Sequence, residues 1–302
     1  MLYWQMGVGV LINSHSGCAR HISVGSILQQ VRQTFPQEEL HAAVICASSL
    51  EEQVKMILEH RPRLFLVMGG DGTISSVVAQ QLVPLGIPLG ILPGGTHNHF
   101  AQDAGIPLDL GEALQVAARG KIRTFDLGEV NGHFFVNNSS IGAYPRAIEA
   151  REKLMERMQL RKSVAMMIAL WRVFANGEAL RPVLRIDRDQ FQTRTPFLFV
   201  GNNRYSFENG LNPHRPSVQE GELWVCTARK HTVPGMLALL WQAARGTLEE
   251  SRDFVSFSVR KLEVLLARRE SVRVSRDGEL LNLRPPLRYA IHDRIFQVIT
   301  PA

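Results

Sequence analysis

The chain has 302 residues, 45% of them hydrophobic, and a formal charge of +6 from 34 basic and 28 acidic side chains. Single cores stop growing near roughly 250–300 residues, so this length favours two domains; three scattered cysteines, Cys18, Cys46 and Cys226, exclude a disulfide framework and a clustered zinc site and fit a reducing cytoplasm. Residues 1–124 hold 8 basic and 9 acidic groups (−1) and residues 125–302 hold 26 and 19 (+7), an excess that suits an anionic partner as well as it suits a solvated surface.

Residues 1–12 run apolar with neither a basic leader nor a small-residue cleavage pattern, so they are expected to form a buried strand and not a signal peptide. Strand patterns at 7–12, 41–46, 64–68 and 89–92 alternate with helical patterns at 23–35, 51–60, 74–81 and 110–119. That alternation is the mark of a parallel sheet with helices on its faces, a Rossmann-like α/β domain over 1–124.

From Thr124 the pattern becomes β-rich, with strands expected at 125–130, 134–139, 183–187, 195–200, 223–228, 254–258, 262–266, 272–275 and 289–299. Helices are expected at 145–174 and 233–245. This second domain, 125–293, reads as a β-sandwich. The apolar runs 164–170 and 236–241 fall well short of the roughly 20 residues that span a bilayer. Residues 146–172 carry seven basic and three acidic groups among apolar ones, which suits a helix on a membrane surface and equally one packed on the sandwich.

The residues richest in chemistry follow the third and fourth strands: Gly69-Gly70-Asp71-Gly72-Thr73, then Pro93-Gly94-Gly95-Thr96-His97-Asn98-His99-Phe100. Glycines at a strand-to-helix turn let the backbone approach a polyphosphate, and the helix start offers N–H groups to it. Asp71 and Thr73 are placed to position a metal-nucleotide or to cap a helix. Two such turns after neighbouring parallel strands converge on the carboxyl edge of the sheet. His97 and His99 have no third ligand nearby and read as loop residues. Asp277-Gly278-Glu279, taken alone, reads as a hairpin turn.

These two motifs, with Asn13 to Gly17, Phe199-Val200-Gly201-Asn202, Glu220-Gly221-Glu222-Leu223 and Asp277-Gly278-Glu279 in the same order, resemble the diacylglycerol kinase catalytic family, which includes sphingosine kinases and bacterial lipid kinases. The resemblance implies a nucleotide-binding α/β domain to which residues 294–302 return, a β-sandwich domain, and an active site in the cleft between them. It implies an enzyme that uses ATP and Mg2+ to phosphorylate a lipid hydroxyl at a membrane surface, with no nucleic-acid partner, in the cytoplasm or at the inner face of the membrane.

Carried onto this sequence, Gly70, Asp71, Gly72, Thr73, Gly95 and Thr96 would contact the nucleotide, with His15, Ser16 and Gly17 as further contacts. Glu220 would hold magnesium, assisted near Ser217 and Glu222, and Glu279 would be the general base. Two positions depart from the family: Ser76 stands where a Glu is common, and Glu220 where Asp is usual. The loss at Ser76 leaves a catalytically weak lipid or nucleotide sensor as the alternative. An NAD kinase, which shares the Gly-Asp-Gly turn, would bring an Asn-Glu pair that this chain lacks.

Overall fold

A near-continuous run of Val, Ile and Leu in a strand signals burial on both faces of a parallel sheet, and the first strands of this chain behave that way. The computed structural model describes residues 7–14, 22–45, 50–75, 79–95, 98–158, 162–175, 179–207, 214–267 and 269–302. The chain divides into two units, Met1–Leu127 with Asp293–Ala302, and Gly128–His292.

The first unit runs β1 (Val8–Asn13), α1 (Val24–Thr34), β2 (Leu40–Ile45), α2 (Leu50–Glu59), β3 (Leu64–Gly69), α3 (Asp71–Thr73), α4 (Ala79–Leu82), β4 (Leu89–Pro93), α5 (His99–Asp103) and α6 (Leu110–Arg119). β5 (Lys121–Val130) leads out of it. The strands lie parallel in the order β2-β1-β3-β4. β3 and β4 are buried throughout, which fixes their carboxyl ends as a firm edge for the turns that follow. Side-chain caps start the helices: Ser23 accepts from Ser26 N before α1, and Asp109 accepts from Glu112 N at 3.0 Å before α6. α1 buries Ile27 and Val31, and α6 buries Ala113, Leu114 and Ala117.

The second unit continues with β6 (His133–Phe135), β7 (Asn138–Gly142), α7 (Ala143–Met158), α8 (Lys162–Ala175), β8 (Val183–Ile186), β9 (Asp189–Gln192), β10 (Phe197–Asn202) and β11 (Leu223–Ala228). α9 (Val233–Ala244), β12 (Phe254–Val259), β13 (Lys261–Leu265), β14 (Val272–Arg276), β15 (Glu279–Leu283) and β16 (Leu287–Thr300) follow. One antiparallel sheet has the order β12-β11-β10-β7-β14-β15. Opposite it, the start of β16 pairs with β13, β13 with β8, and β8 with β9, all antiparallel. Ile141, Leu198, Val200, Val225 and Val274 of the first sheet meet Leu184, Val264, Leu287 and Tyr289 of the second in one core, the alternation of a sandwich. The end of β16 belongs to the first unit, where Val298 pairs in parallel with Leu89.

One helical expectation changes. The single helix expected at 145–174 is two, α7 and α8, packed on each other. One long helix would have left an apolar stripe without a partner; as a pair, Ala143, Ala147 and Leu154 bury against Ala165, Ala169 and Val173, and the small alanines allow a close approach. Of the helix expected at 74–81, residues 76–78 lie outside the described residues, and α3 (Asp71–Thr73) and α4 (Ala79–Leu82) stand on either side of them.

Leu198 is fully buried between the two sheets. Leu198→Ala removes a side chain that the rigid strands cannot collapse around, so a loss of about 2–5 kcal/mol is expected in urea unfolding. A loss below 1 kcal/mol, about that of a surface change, would contradict this placement.

Candidate active site

The two glycine turns touch. β3 ends at Gly69, Gly70 is extended (φ −94°, ψ −178°), and α3 begins at Asp71. A methyl group added at Gly95 would lie 2.5 Å from the Gly70 Cα and 2.8 Å from Asn98 Oδ1. Only hydrogen fits there, so the backbones of the two turns meet directly at the carboxyl edge of β3 and β4. A hydrogen bond from Gly94 N to Gly69 O at 3.0 Å fastens them.

Side chains complete the arrangement. Asn98 is nearly buried and left-handed (φ 53°); its Oδ1 accepts from Gly95 N at 2.8 Å and its Nδ2 donates to Gly95 O at 3.1 Å. Asn13, at the end of β1, donates to Thr73 Oγ1 at 3.0 Å. Asp71 crosses from the first turn to the second: its Oδ2 accepts from His99 N at 3.1 Å and its Oδ1 from Phe100 N at 3.0 Å. Of the two roles open to Asp71 in the sequence, the structure displays the cap, and on the helix of the other turn. Gly70, Asp71, Gly72, Thr73 and Gly95 are thus brought together. His15, Ser16, Gly17 and Thr96, like Ser76 and His97, lie outside the described residues.

In the second unit, Asp277 (φ 46°) and Gly278 (φ 88°) both have positive φ between β14 and β15. That is the two-residue hairpin which an Asp-Gly pair favours. The Asp277 carboxylate accepts from Val136 N at 2.8 Å and from Asn137 N and Asn138 N at 2.9 Å each. The buried Arg215 holds the same segment from its carbonyl side. Its Nη1 donates to Val136 O at 2.6 Å and Asn202 O at 3.2 Å, and its Nη2 to Asn137 Oδ1 at 2.9 Å. Tyr205 adds a bond to Asn137 O at 3.1 Å and lies under the guanidinium, 5.8 Å from its ring centroid.

Glu279 leaves this braced turn with its side chain 46% exposed and its Oε2 3.1 Å from Nη2 of Arg276, which is 5% exposed. Partial burial pushes the Glu279 carboxyl above its ordinary range, and the Arg276 cation pulls it part of the way back. A base with such a value keeps more proton affinity than a free carboxylate.

The acidic turn is organised by Asn203, buried and left-handed (φ 67°). Its Oδ1 accepts from Glu220 N at 3.1 Å and Glu222 N at 3.4 Å, while its own N donates to Glu222 O at 2.9 Å. Glu220 Oε2 accepts from Arg204 N at 3.3 Å, Ser217 Oγ from Gln219 N at 3.2 Å, and Gly221 O from Arg260 Nη1 at 2.9 Å. Ser217, Glu220 and Glu222 therefore share one loop. Among the described residues no three His, Cys, Asp or Glu side chains are grouped so as to hold a metal ion. Magnesium needs fewer, since one or two carboxylates with waters and substrate phosphates complete its octahedron, and the exposed Glu220 carboxylate fits that need.

Sequence reasoning assigned no role to Asn98, Asn203 or Arg215. The first two carried a signal in retrospect, because Asn beside a glycine turn tolerates the left-handed region and bonds nearby backbone. Arg215 carried none, since its partners lie up to 79 residues away.

Because Gly95 faces the Gly70 backbone, Gly95→Ala is expected to force the turns apart at a cost of about 1–3 kcal/mol in chemical denaturation. Gly25→Ala in α1, with nothing within 4 Å of the added methyl, is the control and should be neutral or stabilising. Equal stability of the two variants would show that the turns do not meet.

The family described as the diacylglycerol kinase catalytic domain matches residues 7–130. A diacylglycerol kinase of Bacillus subtilis (strain 168) is 36% identical over 274 residues, which cover 87% of this chain and 86% of that protein. The crystal structure of a diacylglycerol kinase from Bacillus anthracis (strain Sterne) has the same fold, with a TM-score of 0.68 over 98% of this chain and 97% of that one at 19% identity. The order of motifs, the fold and the extent of the match agree: the chain belongs to the diacylglycerol kinase catalytic family and is a lipid kinase.

Proposed function

We propose that the protein transfers the γ-phosphoryl group of ATP, with magnesium, to the hydroxyl of a lipid such as diacylglycerol. The observation that carries this reading is the direct backbone contact between the Gly70 and Gly95 turns at the carboxyl edge of a parallel sheet. Phosphoryl transfer depends on positioning and charge neutralisation more than on covalent chemistry. Glycines at a strand-to-helix turn let phosphate oxygens approach the backbone closely, and the contact between the two turns holds that backbone in place.

In this reading Gly70, Gly72, Thr73 and Gly95 line the phosphates, and Asp71 holds the second turn in place by capping α5. Magnesium, when bound with the nucleotide, would neutralise charge on the phosphate oxygens, and the Glu220 carboxylate is the group of the acidic turn best able to hold it. Glu279 takes the proton of the acceptor hydroxyl. Its raised proton affinity and the rigid turn beneath it support that role.

Labelled ATP with a panel of diacylglycerol, sphingoid base, phosphatidylglycerol and polyprenol in mixed micelles tests the reaction, and diacylglycerol is expected to be phosphorylated. Failure to label any lipid would overturn the proposal. Glu279→Gln keeps the shape but cannot take up a proton, so kcat should fall about a hundred- to ten-thousand-fold with the KM for ATP nearly unchanged.

The pH dependence has a definite sign. A base works only when deprotonated, so kcat should fall as pH drops through the Glu279 value, which lies above the ordinary carboxylate range. Arg276→Met removes the cation that lowers that value and should move the acidic limb to higher pH. An acidic limb that stays in place in this variant would remove Glu279 as the base.

A further inference from the structure

Two helices of the second unit turn large apolar side chains to solvent. On α8, Met167 and Trp171, one turn apart, are 65% and 62% exposed; on α9, Leu237, Leu240 and Trp241 share one face and are 59%, 49% and 65% exposed. These are not misplaced core residues, because the inward faces are already satisfied. α8 buries Ala165, Ala169 and Val173 against α7, and α9 buries Met236, Leu239 and Ala243. Phe174, at the end of α8, packs into the α9 cluster, so the two helices are neighbours. Exposed apolar residues scattered singly need no explanation, but five on adjacent helices, two of them indoles, mark a contact surface.

The charge around this face selects the partner. Neither Lys162–Ala175 nor Val233–Ala244 contains an acidic residue. α8 carries Lys162 and Arg172, and the exposed Arg245 closes α9. Tryptophan suits the headgroup level of a membrane, its ring amphipathic, and flanking cations suit acidic lipid. Among the described residues no helix is long and apolar enough to cross a bilayer.

We infer that Met167 and Trp171 of α8 with Leu237, Leu240 and Trp241 of α9 form one face that inserts into the interfacial layer of an anionic lipid bilayer. The inference rests on the lipid-kinase reading in one respect, that the acceptor resides in such a bilayer. Each side chain sinks its apolar body beside the acyl chains while Arg172 and Arg245 stay at the phosphates, and the two helices lie in the plane of the interface. The outward half of the apolar stretch 236–241, namely Leu237, Leu240 and Trp241, then has a use at the surface of the membrane.

Flotation with phosphatidylglycerol vesicles, and with phosphatidylcholine vesicles for comparison, tests it on the full chain. The wild type should bind the anionic vesicles more tightly, and salt should weaken that binding. Trp171→Ala with Trp241→Ala should weaken it about tenfold or more, and Leu237→Ser with Leu240→Ser should do the same. All four side chains are exposed, so the unfolding temperature should stay unchanged in both variants. Unchanged vesicle binding in both, or no binding by the wild type at low salt, would overturn the inference. So would a concentration-dependent dimer, seen by sedimentation velocity and lost in the variants, with vesicle binding unaffected. Vesicle binding by a protein that phosphorylates no lipid in micelles would defeat the proposed function and leave this face as a membrane surface.

Discussion

The first unit depends on one contact that has no side chains in it, the approach of Gly95 to the Gly70 Cα. It sets the separation of two turns that leave neighbouring strands, and every polar bond around it follows from that separation. Asp71 can reach the N–H groups of His99 and Phe100 only because the turns touch. Asn98 can bracket Gly95 only because the left-handed backbone at 98 turns its amide inward. Hydrogen bonds to a charged group are each worth roughly 1.5–3 kcal/mol, so the Asp71 pair is a substantial restraint on a glycine-rich segment that would otherwise be costly to order. The result is a pair of glycine turns held in fixed register at the carboxyl edge of the sheet.

The second unit meets the same need with a different device. There a short backbone segment, 136–138, is held on its N–H side by Asp277 and on its carbonyl side by Arg215. Burying an isolated ion is prohibitive, and each of these charges is tolerated because it is matched by several backbone dipoles. The segment in turn fixes the Asp277 turn, from which Glu279 projects, and Asn202, which Arg215 also engages and which precedes the Asn203 that organises the acidic turn. Two chemically distinct loops therefore share one buried polar anchor.

Much of this was legible in the sequence because it depends on local rules. Period-two alternation and apolar runs located most strands, glycines after strands located the turns, and the Asp-Gly pair located the hairpin at 277–278. What was not legible depends on contacts far apart in the chain. The break of 145–174 into α7 and α8 follows from burying alanine faces against each other, which no single-helix periodicity reveals. The capping of α5 by Asp71 joins residues 28 and 29 apart, and the clamp of Arg215 joins residues up to 79 apart. The helical pattern at 233–245 does not tell which side meets solvent, and the stripe through Leu237 and Trp241 faces outward.

The acidic residues of the motifs fall into two groups by length. Asp71 and Asp277 use their short side chains on backbone N–H groups nearby, with both carboxylate oxygens engaged in each case. Glu220 and Glu279 carry one more methylene and are more exposed than either Asp, with 46% of the Glu279 side chain accessible. A carboxylate whose two oxygens are both engaged by backbone N–H groups braces the chain that it holds. Glu279 has the opposite environment, partial burial that raises its proton affinity and a single cation that tempers it. The two environments therefore separate the side chains: Asp71 and Asp277 hold backbone, and Glu279 is the carboxylate that we propose as the base. The exposed Glu220 extends from a turn whose geometry Asn203 has already fixed.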